Sequence, residues 1–128
     1  MVVAELCHLR EGAEKTRAVT WVNEPVATLE EAVVHLARTR AMVEAAECEA
    51  LAAYEASKEW KVSGAGSAAM RVARVTRGRK ETIGRRCHAG TGLRGMPHTE
   101  AAFAAGEITL DNVETLSKVK VPALAARF

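Results

Sequence analysis

Apolar side chains recur at three- and four-residue steps along most of this chain, and no alternating strand pattern stands out. Val2, Val3, Leu6, Leu9, Ala13 and Val19 trace one helical face near the start, with Gly12 as its weak point. Trp21–Ala27 holds Asn23 and Pro25 and reads as a connector, because proline disfavours helix at the residue before it. Thr28 then opens TLEE, where Thr28 is placed to cap a helix and Glu31 to reach back as a capping box. From Leu29 to about Trp60 neither Gly nor Pro intervenes. Leu29, Val33, Leu36, Met42, Val43, Ala46, Ala50, Leu51 and Tyr54 predict one amphipathic helix there, roughly 45 Å long.

The VSGAG stretch at 62–66 ends that helix, and Ser67 is a good cap for a second one, SAAMRVARV, with Met70, Val72 and Val75 as core candidates. TRGR at 76–79 reads as a tight turn with Gly78 at a position of positive φ. Lys80–Ala89 follows as a third helix with Ile83 and Cys87 inward, loosened beyond that point by Gly90, Gly92 and Gly95. Pro97 starts PHTEAAFAAG, which Gly106 stops, and Thr109 caps a last helix that Pro122 limits. The expectation is an all-α chain of five to six helices, a single small domain over 1–128. The long helix dominates residues 1–60, and residues 61–121 form a helix-turn-helix-like half.

Charge changes this picture. Residues 1–57 hold five Lys/Arg against ten Glu, residues 58–94 ten against two, and residues 95–128 three against four, so a net +2 conceals segments of −5, +8 and −1. Positive charge concentrated on a short helical stretch is the footprint of a nucleic-acid binder, since phosphate neutralisation releases counterions. Five aromatic residues in all leave little for a single-strand stacking platform. No apolar run approaches the ~20 residues of a membrane span, and Glu5 and His8 interrupt any leader-like start. No membrane and a cytoplasmic location are therefore expected. Three cysteines, Cys7, Cys48 and Cys87, without paired spacing suit a reducing compartment.

The order W-x-x-x-G-A-x-S, a helix–turn–helix, then M-P-x-T-x-x-A-x-x-x-G-E-I-T resembles the 13E12-repeat proteins of actinobacteria and their phages. The residues that carry it are Trp60, Gly64, Ala65, Ser67, Pro97, Thr99, Ala102, Gly106, Glu107, Ile108 and Thr109, within about residues 40–120. The resemblance implies a helical domain of the kind that usually precedes an HNH nuclease, here without the nuclease segment. Met70 stands where that family usually has an aromatic residue, and Gly90 and Gly92 where it is Ala/Leu-rich. The stretch is also similar to the helix-turn-helix region of ParB-type partition proteins.

With 80–89 as a recognition helix, Lys80 and Thr82 occupy its first turn and Arg85 and Arg86 the next. Arg71, Arg74, Arg77, Arg79 and Arg94 flank it as phosphate contacts on duplex DNA. The competing readings are a solvated face or an acidic partner for the basic block, and a helical protein-interaction factor that uses the long acidic helix or the basic patch to engage, for example, a host protein. Salt dependence separates DNA binding from such a factor. Cys7–His8 and Cys87–His88 are adjacent pairs without CxxC or HxxxH spacing, so no structural metal and no cofactor are expected. Glu44, Glu47 and Glu49 are explained by a solvated helix face, and GAGS at 64–67 lacks the preceding strand of a phosphate loop, so no catalysis is expected. The Ala-rich long helix predicts a homodimer through Leu29–Trp60.

Overall fold

The computed structural model describes residues 2–120 and 127–128. It holds six α-helices and, among the described residues, no strand: α1 Val3–Arg17, α2 Val26–Ser57, α3 Ala68–Thr76, α4 Lys80–Leu93, α5 Pro97–Ala104 and α6 Leu110–Val119. The chain is all-α, with α2 its longest helix at 32 residues. Compact units form over Met1–Val34 and His35–Phe128, so the division falls inside α2, whereas the pattern suggested one domain that changes character near residue 60.

In the first unit, α1 runs through Gly12 without a break and buries none of its residues. A 3₁₀ turn over Trp21–Asn23 follows. Helical bonding then resumes early: the Leu29 amide donates to the Pro25 carbonyl at 3.0 Å, so α2 begins at Val26. Thr28 therefore sits inside the first turn of α2 and is not its N-cap, so the helix starts three residues before the predicted Leu29.

In the second unit, α2 turns Ala41, Cys48, Leu51 and Ala52 inward. One core gathers Cys48, Ala89, Leu93, Phe103, Leu110 and Val113; a second gathers Leu51, Ile83 and Cys87, with Ala69, Val72 and Ala73 against it. Ile83 and Cys87 point inward as their spacing predicted. Met70 and Val75 remain exposed, because α3 turns Ala68, Ala69, Val72 and Ala73 to the core instead. Gly90 does not end α4, which continues to Leu93.

The caps explain most of the boundaries. The Ser67 hydroxyl accepts from the Met70 amide at 3.1 Å, and the Thr109 hydroxyl accepts from the Asn112 amide at 3.3 Å while the Asn112 side chain accepts from the Thr109 amide at 2.9 Å. α2 stops one turn before Trp60, where Lys58 takes φ 63°; the Trp60 indole nitrogen then donates to the Glu55 carbonyl at 3.1 Å. Between α3 and α4 the positive φ belongs to Arg77 (59°) and not to Gly78. Gly106, at φ 73°, lies against the Arg38 backbone, and the Arg38 guanidinium donates to the Ala105 carbonyl at 3.0 Å. Pro122 lies outside the described residues. Several residues that carry the family resemblance thus cap, turn or fill: Ser67 and Thr109 are caps, Gly106 a turn, Trp60, Ala65 and Thr99 buried.

Candidate nucleic-acid interface

The nine residues predicted for the interface separate into three groups. Arg74, Arg77, Arg79 and Lys80 lie where α3 meets α4, and Arg71 lies further back, in the first half of α3. Arg71 is half-buried and the other four are exposed. Among the described residues no carboxylate pairs with Arg71, Arg74, Arg77 or Lys80, and Arg79 approaches only the exposed Glu81, at 4.0 Å. Arg74, Gly78 and Lys80, with Met70 and Ala73, line an open depression of about 350 Å³. Arg79, the N-cap of α4, offers no side-chain acceptor to the helix, so no cap side chain covers the first-turn amides of α4.

Thr82, Arg85 and Arg86 form the second group, lining a cleft of about 300 Å³ together with Arg40, Glu44 and Asp111. Both arginines are engaged within the chain. Arg85 Nε donates to Glu114 Oε2 at 3.1 Å, its Nη2 to Glu114 Oε1, and the same Nη2 to Asp111 at 3.3 Å. The hydrogen bond from Arg85 holds the Glu114 carboxyl below its ordinary range, and Glu114 in turn raises the Arg85 guanidinium. Arg86 Nε donates to Glu44 at 3.0 Å and lies 3.3 Å from Glu47. With Glu47 and Glu114 counted, three arginines meet four carboxylates around the cleft, which offers no surplus of positive charge to an anion.

Arg94 stands apart at the far end of α4, where it borders a groove of about 340 Å³ floored by Met42, Ala46, Leu93 and Phe103. Two further members of the basic block serve Trp60: Lys58 Nζ and Lys61 Nζ stand 5.9 and 5.8 Å from its ring.

Comparison with family models, with curated proteins and with solved structures finds no match.

Periodicity did not reveal the carboxylate partners of Arg85 and Arg86. A signal for one of them lies in α2: Glu44 falls one turn from both Ala41 and Cys48, on the border of the buried stripe, and a carboxylate there needs a cation. Arg85 and Glu114, 29 residues apart, carry no local sign of their pairing. The two inner thiols are shielded rather than reactive. Burial, then the charge of Glu44, pushes Cys48 up to about 12, and burial pushes Cys87 up as well. Among the described residues no group of three His, Cys, Asp or Glu side chains is arranged to hold a metal ion, and no helix is long and apolar enough to cross a membrane.

Proposed function

We propose that this chain is a non-catalytic DNA-binding module, of the kind its resemblance to 13E12-repeat domains implies, and that it grips duplex DNA at the corner between α3 and α4. The observation that carries the reading is the group Arg71, Arg74, Arg77, Arg79 and Lys80. These are five cations along α3, the turn that follows it and the first residue of α4, four of them without a carboxylate partner among the described residues. Two of them flank one depression, and the N-terminal end of α4, which no side chain caps, adds a partial positive charge beside it. Arg85 and Arg86, first candidates for reading bases, are committed to Glu114, Glu44 and Glu47. Phosphate contact therefore outweighs base contact, and binding of this kind depends little on sequence.

Fluorescence anisotropy on a random duplex tests the reading. Five phosphate contacts imply a loss of affinity of roughly 10²–10³-fold between about 50 and 200 mM salt. Arg74→Ala with Lys80→Ala should remove most binding, and Arg94→Ala little. Absence of binding at about 50 mM salt would overturn the proposal. A second reading, a helical protein-interaction factor, has one observation in its favour, the apolar groove beside Arg94; complexes docked there would resist salt.

A further inference from the structure

Beyond residue 34, α2 carries two opposed faces. One packs inward through Ala41, Cys48, Leu51 and Ala52. The other repeats every seven residues: Leu36, Val43 and Ala50 at one position, Thr39, Ala46 and Ala53 three residues later. All six are exposed, Leu36 to 45 % and Val43 to 39 %. This alternating four-three spacing is that of a two-helix seam.

We infer that a second copy of this chain covers this face, antiparallel, across a two-fold axis near residues 44–45. Reversing the partner sets Leu36 against the partner's Ala53, Val43 against the partner's Ala46, and Thr39 against the partner's Ala50, each contact made twice. Every layer then joins a larger side chain to an alanine, so the layers are even in volume and the helices approach closely. A parallel pair stacks Leu36 on its own copy and Ala46, Ala50 and Ala53 on theirs, which leaves gaps along one end.

Charge selects the same arrangement. In the antiparallel register the exposed Arg40 faces the partner's Glu47, twice by symmetry; in a parallel one Arg40 faces the partner's His35 and Glu47 the partner's Met42, with no opposite pair. Glu47 is half-exposed and meets Arg86 through Oε1, which leaves Oε2 for Arg40 of the other chain. Pairs on a rim add little affinity but fix orientation. Met42, Ala46 and Ala53 also edge the groove that continues to Leu93 and Phe103, so the seam borders a further apolar surface.

Light scattering and cross-linking test this independently of DNA. The full chain should give twice its 13.7 kDa mass at tens of micromolar. Ala46→Glu, at an exposed site, should give the monomer mass with unchanged helicity, and Arg40→Glu should weaken association about tenfold. In a Cys7→Ser background, Leu36→Cys and Ala53→Cys chains should form a disulfide-linked dimer only when mixed. Leu36→Cys cross-linking alone as well as in the mixture means a parallel seam and overturns the register. A monomer mass for the unaltered chain at about 100 µM overturns the dimer.

Discussion

Gly90 lies directly against the Cys48 carbonyl: a Cβ on Gly90 would collide with that oxygen and stand 2.7 Å from its carbon and 3.0 Å from the Cβ of Ala52. Glycine here lets α4 approach the backbone of α2, where any side chain has to push the helices apart. Gly90→Ala should therefore cost about 2–4 kcal/mol. Gly84 and Gly92, on the same helix, have nothing within 4 Å of such a Cβ. Alanine at either should stabilise by about 0.5–1 kcal/mol through helix propensity. Thermal unfolding followed by circular dichroism decides it; equal effects at Gly90 and Gly92 would mean that α2 and α4 do not meet this closely.

Burial in the two cores shields the two inner thiols. Cys48 is fully buried, with its thiol held up to about 12, and Cys87 is buried beside Ile83 and Leu51. Cys7 is exposed. Titration with a thiol reagent near pH 8 should label one cysteine quickly, and the other two at the rate at which the core opens. Three fast thiols in the folded chain would contradict this core.

These glycines also show where the sequence is legible. Six helices, the Ser67 and Thr109 caps, and the inward turn of Ile83 and Cys87 follow from local signals that act within a few residues. Gly90 carries opposite meanings locally and in the fold: alone it weakens a helix, but against Cys48 it is a packing requirement. α2 starts where the Pro25 carbonyl accepts the Leu29 amide, so helical bonding is under way three residues before the predicted start at Leu29. The basic block was legible as charge, but its division into a free corner and two arginines held by α2 and α6 depends on residues 29 and 42 positions away. No short-range pattern encodes that.

The pair of Arg85 and Glu114 gives the chain a defined acid response. Because Glu114 binds its proton more weakly in the fold than in the unfolded chain, the pair's contribution is present in full above about pH 4.3 and is lost as pH falls through the lowered folded value. Glu114→Gln should lower the urea midpoint at pH 6–7, and the difference from the unaltered chain should shrink towards pH 3. A difference that does not change with pH would assign Glu114 a packing role only.

Arg86 differs from the corner arginines in what its removal leaves behind. Its side chain is 27 % exposed and that of Glu44 22 %, so Arg86→Ala strands a half-buried carboxylate. A loss of about 1–3 kcal/mol is expected. Arg74→Ala, at an exposed site with no carboxylate partner among the described residues, should change stability by less than about 0.5 kcal/mol. Combining Arg86→Ala with Glu44→Gln should recover part of the loss. If Arg86→Ala unfolds at the same urea concentration as the unaltered chain, the contact with Glu44 is not stabilising.

Arg77 combines a backbone cost with a useful charge, which allows the two to be measured apart. Its φ of 59° lies in the left-handed region, where a side chain costs roughly 1–2 kcal/mol and glycine almost nothing. The neighbouring Gly78 amide donates to the Ala73 carbonyl at 3.1 Å and closes the end of α3, so the turn does not depend on the arginine side chain. Arg77→Gly should then stabilise the fold by about 0.5–1 kcal/mol. Arg77→Ala should not, since alanine keeps the strain. On DNA the two variants should behave alike: each loses one phosphate contact, and the slope of log affinity against log salt should fall by about 0.9 in both. A gain in stability with an unchanged slope would remove Arg77 from the interface. A fall in stability for Arg77→Gly would show that its side chain supports the turn and would leave the other four corner cations to carry the grip.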